Sequence, residues 1–264
     1  MKHIKITIPS NKSPEYINDF FGRKKFYKFL EIKKEKKKLI QDRPYYPELR
    51  DLYRLYKFII DNKRTTILEF GTGWSTLVIL SAILELDKQY LDKIKNVRKK
   101  DKFKIFVVDN ESKYLNISKK RILNFKKEIK DKKNNISFLF SDVTFSKIDN
   151  QYCNIYKKIP LCNPDFIYLD GPNLFKIKNT LNNFTNKHHD MMPMVANILN
   201  MEPFLIPGTI ILADGRTANM RFLQKNLKRN WVYKHDVVND QNILYLDEEP
   251  LGKINSNLLK FYTS

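Results

Sequence analysis

The chain has 264 residues, 42% of them hydrophobic, and a formal net charge of +20. That length and apolar content exclude a disordered chain and suit one full α/β domain with an appended segment, rather than two independent domains. Two cysteines, Cys153 and Cys162, make neither a disulfide framework nor a metal pattern. A reducing compartment fits that usage, and with no signal-like leader and no apolar run long enough to span a bilayer, a cytoplasmic location is expected. The charge attracts nucleic acid, anionic membrane or acidic substrates. Lys outnumbers Arg about four to one, however, and is spread along the chain. Because Arg is the better phosphate fork, compositional bias explains the charge better than nucleic-acid binding does.

Taken in order, Met1 to Ser10 alternate with Ile4, Ile6 and Ile8 on one side, which predicts a short edge strand before Pro9. Pro14 to Gln41 reads as a basic helical segment interleaved with Phe20, Phe21, Phe26, Tyr27, Phe29 and Leu30. Its run Lys33 to Lys38 is expected to be a solvated helix face, with contact to RNA or a membrane surface as the alternative. Leu49, Leu52, Tyr53, Leu55, Tyr56, Phe58 and Ile59 predict a second amphipathic helix over Pro47 to Asn62. Residues 1–62 are thus expected to be a basic helical extension or cap, 63–249 the main domain and 250–264 a tail.

Thr65 to Phe70 is a short β-branched, apolar run closed by glycines, the pattern of a buried strand. The turn Gly71-Thr72-Gly73 follows, and from Ser75 the apolar residues Leu77, Val78, Leu80, Ala82, Ile83 and Leu84 predict a helix. Strand, glycine turn and helix present backbone N–H groups and a helix N-terminus to an anionic or hydrogen-bonding ligand. A charged insertion, Asp87 to Lys102, precedes a second strand over Lys104 to Asp109. A helix over Tyr114 to Lys132 and a third strand over Asn135 to Val143 come next. Thr144 to Cys162 shows no usable period. Pro164 to Asp170 is a fourth strand, and Asn173 to Asp190 a loop or broken helix that ends in His188-His189-Asp190. Met191 to Asn200 is expected to be helical. A fifth strand ends at Asp214, Arg216 to Asn230 is a helix, and Trp231 to Val238 with Asn242 to Asp247 forms a terminal antiparallel pair.

Glu69-Phe70-Gly71-Thr72-Gly73-Trp74-Ser75 resembles the acidic-x-Gly-x-Gly-x-Ser signature of class I S-adenosylmethionine (SAM) dependent methyltransferases. The resemblance covers roughly Thr65 to Asp247. It implies a Rossmann-like three-layer α/β sandwich with a mostly parallel seven-stranded sheet, the last strand antiparallel, and here an N-terminal helical extension. A nicotinamide fingerprint would want a third glycine where Thr76 stands. The resemblance further implies SAM binding by Glu69, Gly71, Thr72, Gly73 and Ser75, a ribose contact at Asp109 and an adenine contact at Asp142. Alternative readings are an N-cap for Asp109, with Glu111 as its rival for the ribose, and a turn residue for Asp142. Asp170 would face the transfer site, with His188 and His189 as further candidate bases. Asp170 and Asp214, ending adjacent strands, are candidate ligands for Mg²⁺, although Gly215 stands where the metal-using branch of the family has an asparagine. Arg216 and Arg221 are candidates for holding an anionic acceptor. The expected activity is O-methylation of a small-molecule or sugar-like acceptor. An RNA ribose or protein methyltransferase, or a SAM-binding protein without transfer, is the alternative.

Overall fold

The computed structural model describes residues 4–30, 46–95 and 97–264. The Lys33 to Lys38 run and much of the expected basic helix lie outside the described residues.

Seven strands form one sheet: β1 (Thr66–Phe70), β2 (Lys104–Asp109), β3 (Ile136–Phe140), β6 (Phe166–Leu169), β7 (Ile210–Asp214), β8 (Trp231–Asp236) and β9 (Gln241–Leu246). Their spatial order is β3-β2-β1-β6-β7-β9-β8. All neighbours from β3 to β7 are parallel, whereas β9 runs antiparallel to both β7 and β8. This is the Rossmann-like arrangement expected, with the chain order reversing between β1 and β6. In such open sheets the ligand crevice lies outside the carboxyl ends of the strands at that reversal.

Period-two alternation assigns the sheet's two faces. Ile67, Ile105, Val107, Phe166, Ile210, Leu212 and Ile243 point into one core, shared with helices α1 (Pro14–Gly22), α2 (Leu49–Asp61), α3 (Trp74–Tyr90), α4 (Ser112–Glu128) and α7 (Gly252–Thr263). Leu68, Phe70, Val108, Ile167, Leu169, Ile211 and Leu244 point into the other, closed by helices α5 (Asn197–Met201) and α6 (Thr217–Asn226) and by a β-hairpin. The central strands read as unbroken apolar runs because both their faces are covered.

Four segments differ from the sequence expectation. The aperiodic stretch after β3 is the hairpin of β4 (Val143–Ile148) and β5 (Gln151–Tyr156), paired in full register. Its turn residues Asp149 and Asn150 both have positive φ, 47° and 62°, the conformation that a two-residue hairpin turn demands. The helix expected over Met191 to Asn200 shrinks to α5. Ahead of it, Asn154 of β5 donates its amide to the Met194 carbonyl and accepts the Ala196 amide, so this backbone serves the hairpin edge, and Pro193 disfavours helix at Met192. No strand forms in residues 4–10. There, side chains take the backbone bonds, with Ile4 donating to Asp247 (2.7 Å) and Thr7 exchanging bonds with Asn62 (2.9 Å each way). Residues 250–264, expected as a tail, contain α7, which buries Leu258, Phe261 and Tyr262.

Candidate active site

Four carboxylates stand at or just beyond the carboxyl ends of β1, β2, β6 and β7. Glu69, the penultimate residue of β1, is fully buried, and its two oxygens accept from the Ser75 and Thr76 hydroxyls at 2.5 and 2.7 Å. Burial pushes its pKa up to about 8 against those two bonds. Glu69 and Ser75 are thus spent on each other: they pin the strand end to the first turn of α3. Thr72 joins this knot, its hydroxyl 3.0 Å from that of Thr76.

The two glycines of the turn have different reasons for being glycine. Gly71 has φ +97°, and an added Cβ would meet Gly171 N at 2.7 Å and the Asp170 carbonyl carbon at 2.8 Å. It is small so that the ends of β1 and β6 can touch backbone to backbone. Gly73 is extended, and a Cβ there meets nothing nearer than Ser75 Oγ at 3.9 Å. The place of its missing side chain is therefore unfilled, which is the room a ligand bound against this turn would need. Arg121 of α4 supports this turn from behind, donating to the Gly73 carbonyl (3.1 Å) with its guanidinium 3.7 Å over the Trp74 ring.

Asp109 closes β2 and is 4% exposed. Its Oδ1 accepts the Glu111 amide at 2.8 Å, while burial carries its pKa to about 7 despite that bond. Glu111, not Asp109, is the N-cap residue of α4. Beside it, Asn110 and Asn173 exchange two bonds, 2.9 and 2.8 Å, tying the loop after β6 to the end of β2. That loop continues past Lys176, which meets Glu111 at 3.4 Å, to Lys178, 3.6 Å from Asp142. Asp142 therefore sits on the rim, next to a lysine. The sequence carried no signal for this strap, because the Asn110 side chain meets the main chain of Asn173, 63 residues on, only in three dimensions.

At the end of β6, Asp170 has a side chain 46% exposed to the cleft. Arg216 lies against it, donating to its carbonyl and holding Nε 3.7 Å from Oδ1. The protein packed around Asp170 raises its pKa and Arg216 opposes that rise. Arg216 is thus engaged with Asp170. Asp214 at the end of β7 accepts from Tyr168 (2.8 Å) and Gln241 (2.6 Å), one donor per oxygen, and burial raises its pKa to about 7. Among the described residues no group of three or more His, Cys, Asp and Glu side chains could hold a metal ion. With Asp214 doubly occupied and Asp170 facing a guanidinium, these two residues do not fit Mg²⁺.

His188 and His189 are exposed on the loop before α5. The Asp190 amide donates to His188 Nδ1 at 3.2 Å, and the His189 ring lies 4.7 Å from Phe175. Neither forms a hydrogen bond or ion pair with Asp170. A residue with no sequence signal does reach the strand ends: Tyr156 of β5, whose ring is 5.5 Å from Phe70. Its hydroxyl is buried beside Gly171 and, among the described residues, has no hydrogen-bond partner.

No protein-family model matches this chain, and no curated protein sequence matches it. Among solved structures, it is similar to a methyltransferase of Podospora anserina crystallised with S-adenosylhomocysteine, at 10% identity over 93% of this chain and 100% of that one, with a TM-score of 0.46. A protein from Corynebacterium glutamicum aligns at 12% identity over 90% and 98%, with a TM-score of 0.48. The O-methyltransferase of Streptomyces achromogenes involved in tomaymycin synthesis, in complex with SAM, aligns at 11% over 89% and 96%, with a TM-score of 0.42. Identities near a tenth with scores below 0.5 add nothing to what the strand order already shows.

Proposed function

We propose that the chain is a SAM-dependent methyltransferase acting on the oxygen of a small-molecule or sugar-like acceptor. The observation that carries this reading is the pairing, at the carboxyl ends of the adjacent strands β1 and β2, of an open Gly73 at the N-terminus of α3 with a buried carboxylate, Asp109. One end of that space offers helix amides to a carboxylate, and the other offers an acceptor to ribose hydroxyls. A nucleoside joined to an amino acid matches both ends. The missing third glycine argues against a dinucleotide, whose pyrophosphate needs that close helix approach.

When bound, SAM supplies a methyl group already activated on a sulfonium. The chain must then place an acceptor oxygen in line with it and remove a proton. Asp170 is the residue proposed for that proton, being at the carboxyl end of β6, open to the cleft and held by Arg216. Its partners set its direction, and its exposure lets an acceptor approach. Glu69, Ser75 and Thr76 act one step back by fixing the turn, and Asp214 by fixing Tyr168 and Gln241. His188 and His189 stay outside this scheme.

The test is transfer of labelled methyl from SAM to a panel of sugars, sugar phosphates and phenols, followed by mass spectrometry of the product. An oxygen-methylated product whose yield falls about a hundredfold in Asp170→Asn supports the assignment. SAM binding with no transfer to any member would sink the O-directed reading.

A further inference from the structure

We infer that a second ligand site, for a small organic phosphate of sugar size, lies between residues 7–12 and helix α2. Two adjoining cavities stand there, of about 130 and 380 Å³, sharing Ser10, Lys12 and Tyr53 in their walls. The smaller one is lined by Lys12, Arg50 and Arg54 and by no carboxylate. Arg54 is the builder of this cavity. It is 2% exposed and holds four groups at once: the Pro9 carbonyl (3.1 Å), Asn11 (2.9 Å), Asp236 (2.8 Å) and Gln241 (3.0 Å). Its charge is met by Asp236, and its bonds fix the otherwise irregular segment Pro9 to Asn11 as a wall.

Lys12 and Arg50 are different. Both are exposed, and among the described residues neither makes a hydrogen bond or an ion pair. Lys12 lies 5.3 Å over the Tyr16 ring, and Arg50 projects from the first turn of α2, where the helix dipole adds positive potential. Asp51 shares that turn but does not line the cavity. Lys12 and Arg50, neither held in a hydrogen bond or ion pair among the described residues, and the Ser10 hydroxyl line one small cavity, and Asp51, whose carboxylate feels the Arg50 charge, stays out of its wall: this is the chemistry of a phosphate site.

The larger cavity supplies the rest of the ligand's volume. Tyr16 and Tyr53, edge to face at 6.1 Å, form an aromatic wall with Ile8, and the Lys57–Asp61 pair at 2.6 Å offers a donor and an acceptor on the far side. An aromatic corner with a few polar groups around it suits a sugar ring. The site stands at the same sheet edge as Asp214, to which Gln241 links Arg54 through two hydrogen bonds. It does not depend on the methyl-transfer reading.

The experiment is calorimetric titration of the full chain at low salt with glucose 1-phosphate and, separately, inorganic phosphate, followed by SAM on the same preparation. Saturable binding of both is expected, with the ester at least about tenfold tighter, and a loss of about tenfold or more in the Lys12→Gln/Arg50→Gln double variant, whose melting temperature and SAM affinity stay unchanged. Equal affinity for ester and phosphate would overturn the sugar-sized part of the site and leave a bare anion site. No saturable binding of either up to about 10 mM, or full binding by the double variant, would overturn the whole inference. Because SAM is titrated separately, failure of the methyltransferase reading registers as its own result.

Discussion

The two edges of the sheet hold buried carboxylates in opposite states. At the amino edge, Asp165 is wholly buried and accepts from the Thr65 and Thr66 amides, the Thr65 hydroxyl, Lys99 (2.5 Å) and Tyr262 (2.7 Å). Burial alone would raise its pKa, but Lys99 and Arg64 outweigh that and hold it below the usual range. Arg64 in turn stacks 3.9 Å over the Tyr262 ring, which locks α7 to the start of β1. At the carboxyl edge, Glu69, Asp109 and Asp214 have hydrogen-bond donors but, among the described residues, no ion pair, and their pKa values rise to about 8, 7 and 7. One edge is compensated by cations; the other keeps acids that burial has desolvated and only neutral donors meet. Uncompensated acids are what function retains at the expense of stability.

The largest effect should come from breaking the compensated edge. Asp165→Ala leaves Lys99 and Arg64 buried without their counter-charge and should cost about 3–5 kcal/mol in denaturant unfolding. A loss below about 1 kcal/mol would erase the contrast between the edges. Next come the two glycines. Gly71→Val forces a β-branched residue to φ +97° against backbone at 2.7 Å, and a loss of about 2–4 kcal/mol is expected. Gly73→Val, with open space before it, should change stability by less than about 1 kcal/mol. Equal melting curves for the two variants would mean that the turn is not divided as described.

A further contrast is in the pH dependence, where the edges should slope oppositely. Glu69 titrates near 4.5 unfolded and near 8 folded, so the native state holds a proton that the unfolded chain has lost between those values. Its stabilising contribution is complete below about 4.5 and is lost as pH rises through about 8. Asp165 is lowered instead, so its contribution is present above 3.8 and is lost as pH falls through its folded value. Glu69→Gln should therefore flatten the decline of melting temperature between pH 5 and 8. An unchanged slope would place the proton elsewhere.

The parts legible in the sequence were those written in local pattern. β1, β2, β6 and β7 announce themselves as apolar runs ending in a carboxylate, and the glycine turn as a break between two periods. The hairpin was not legible, because Thr144, Ser146, Tyr152 and Asn154 blur its alternation and its burial comes from Phe70 and Leu174 far along the chain. The Asp149-Asn150 pair was the one local cue to it. Likewise, nothing near Glu69 told that Ser75 and Thr76 would consume its carboxylate, or that Gly71 would be small for Gly171 rather than for a ligand. Local pattern fixes elements; which side chains are left over for chemistry depends on neighbours a hundred residues away.

The central claim is that the space in front of Gly73 holds SAM. Calorimetric titration of wild type and Gly73→Val with SAM, and with NADH as control, tests it most directly. Micromolar SAM binding by wild type, none of NADH, and at least about a hundredfold weaker SAM binding by a folded Gly73→Val variant is the result expected. Wild-type SAM affinity in Gly73→Val, or no SAM binding by the wild-type chain, would contradict it.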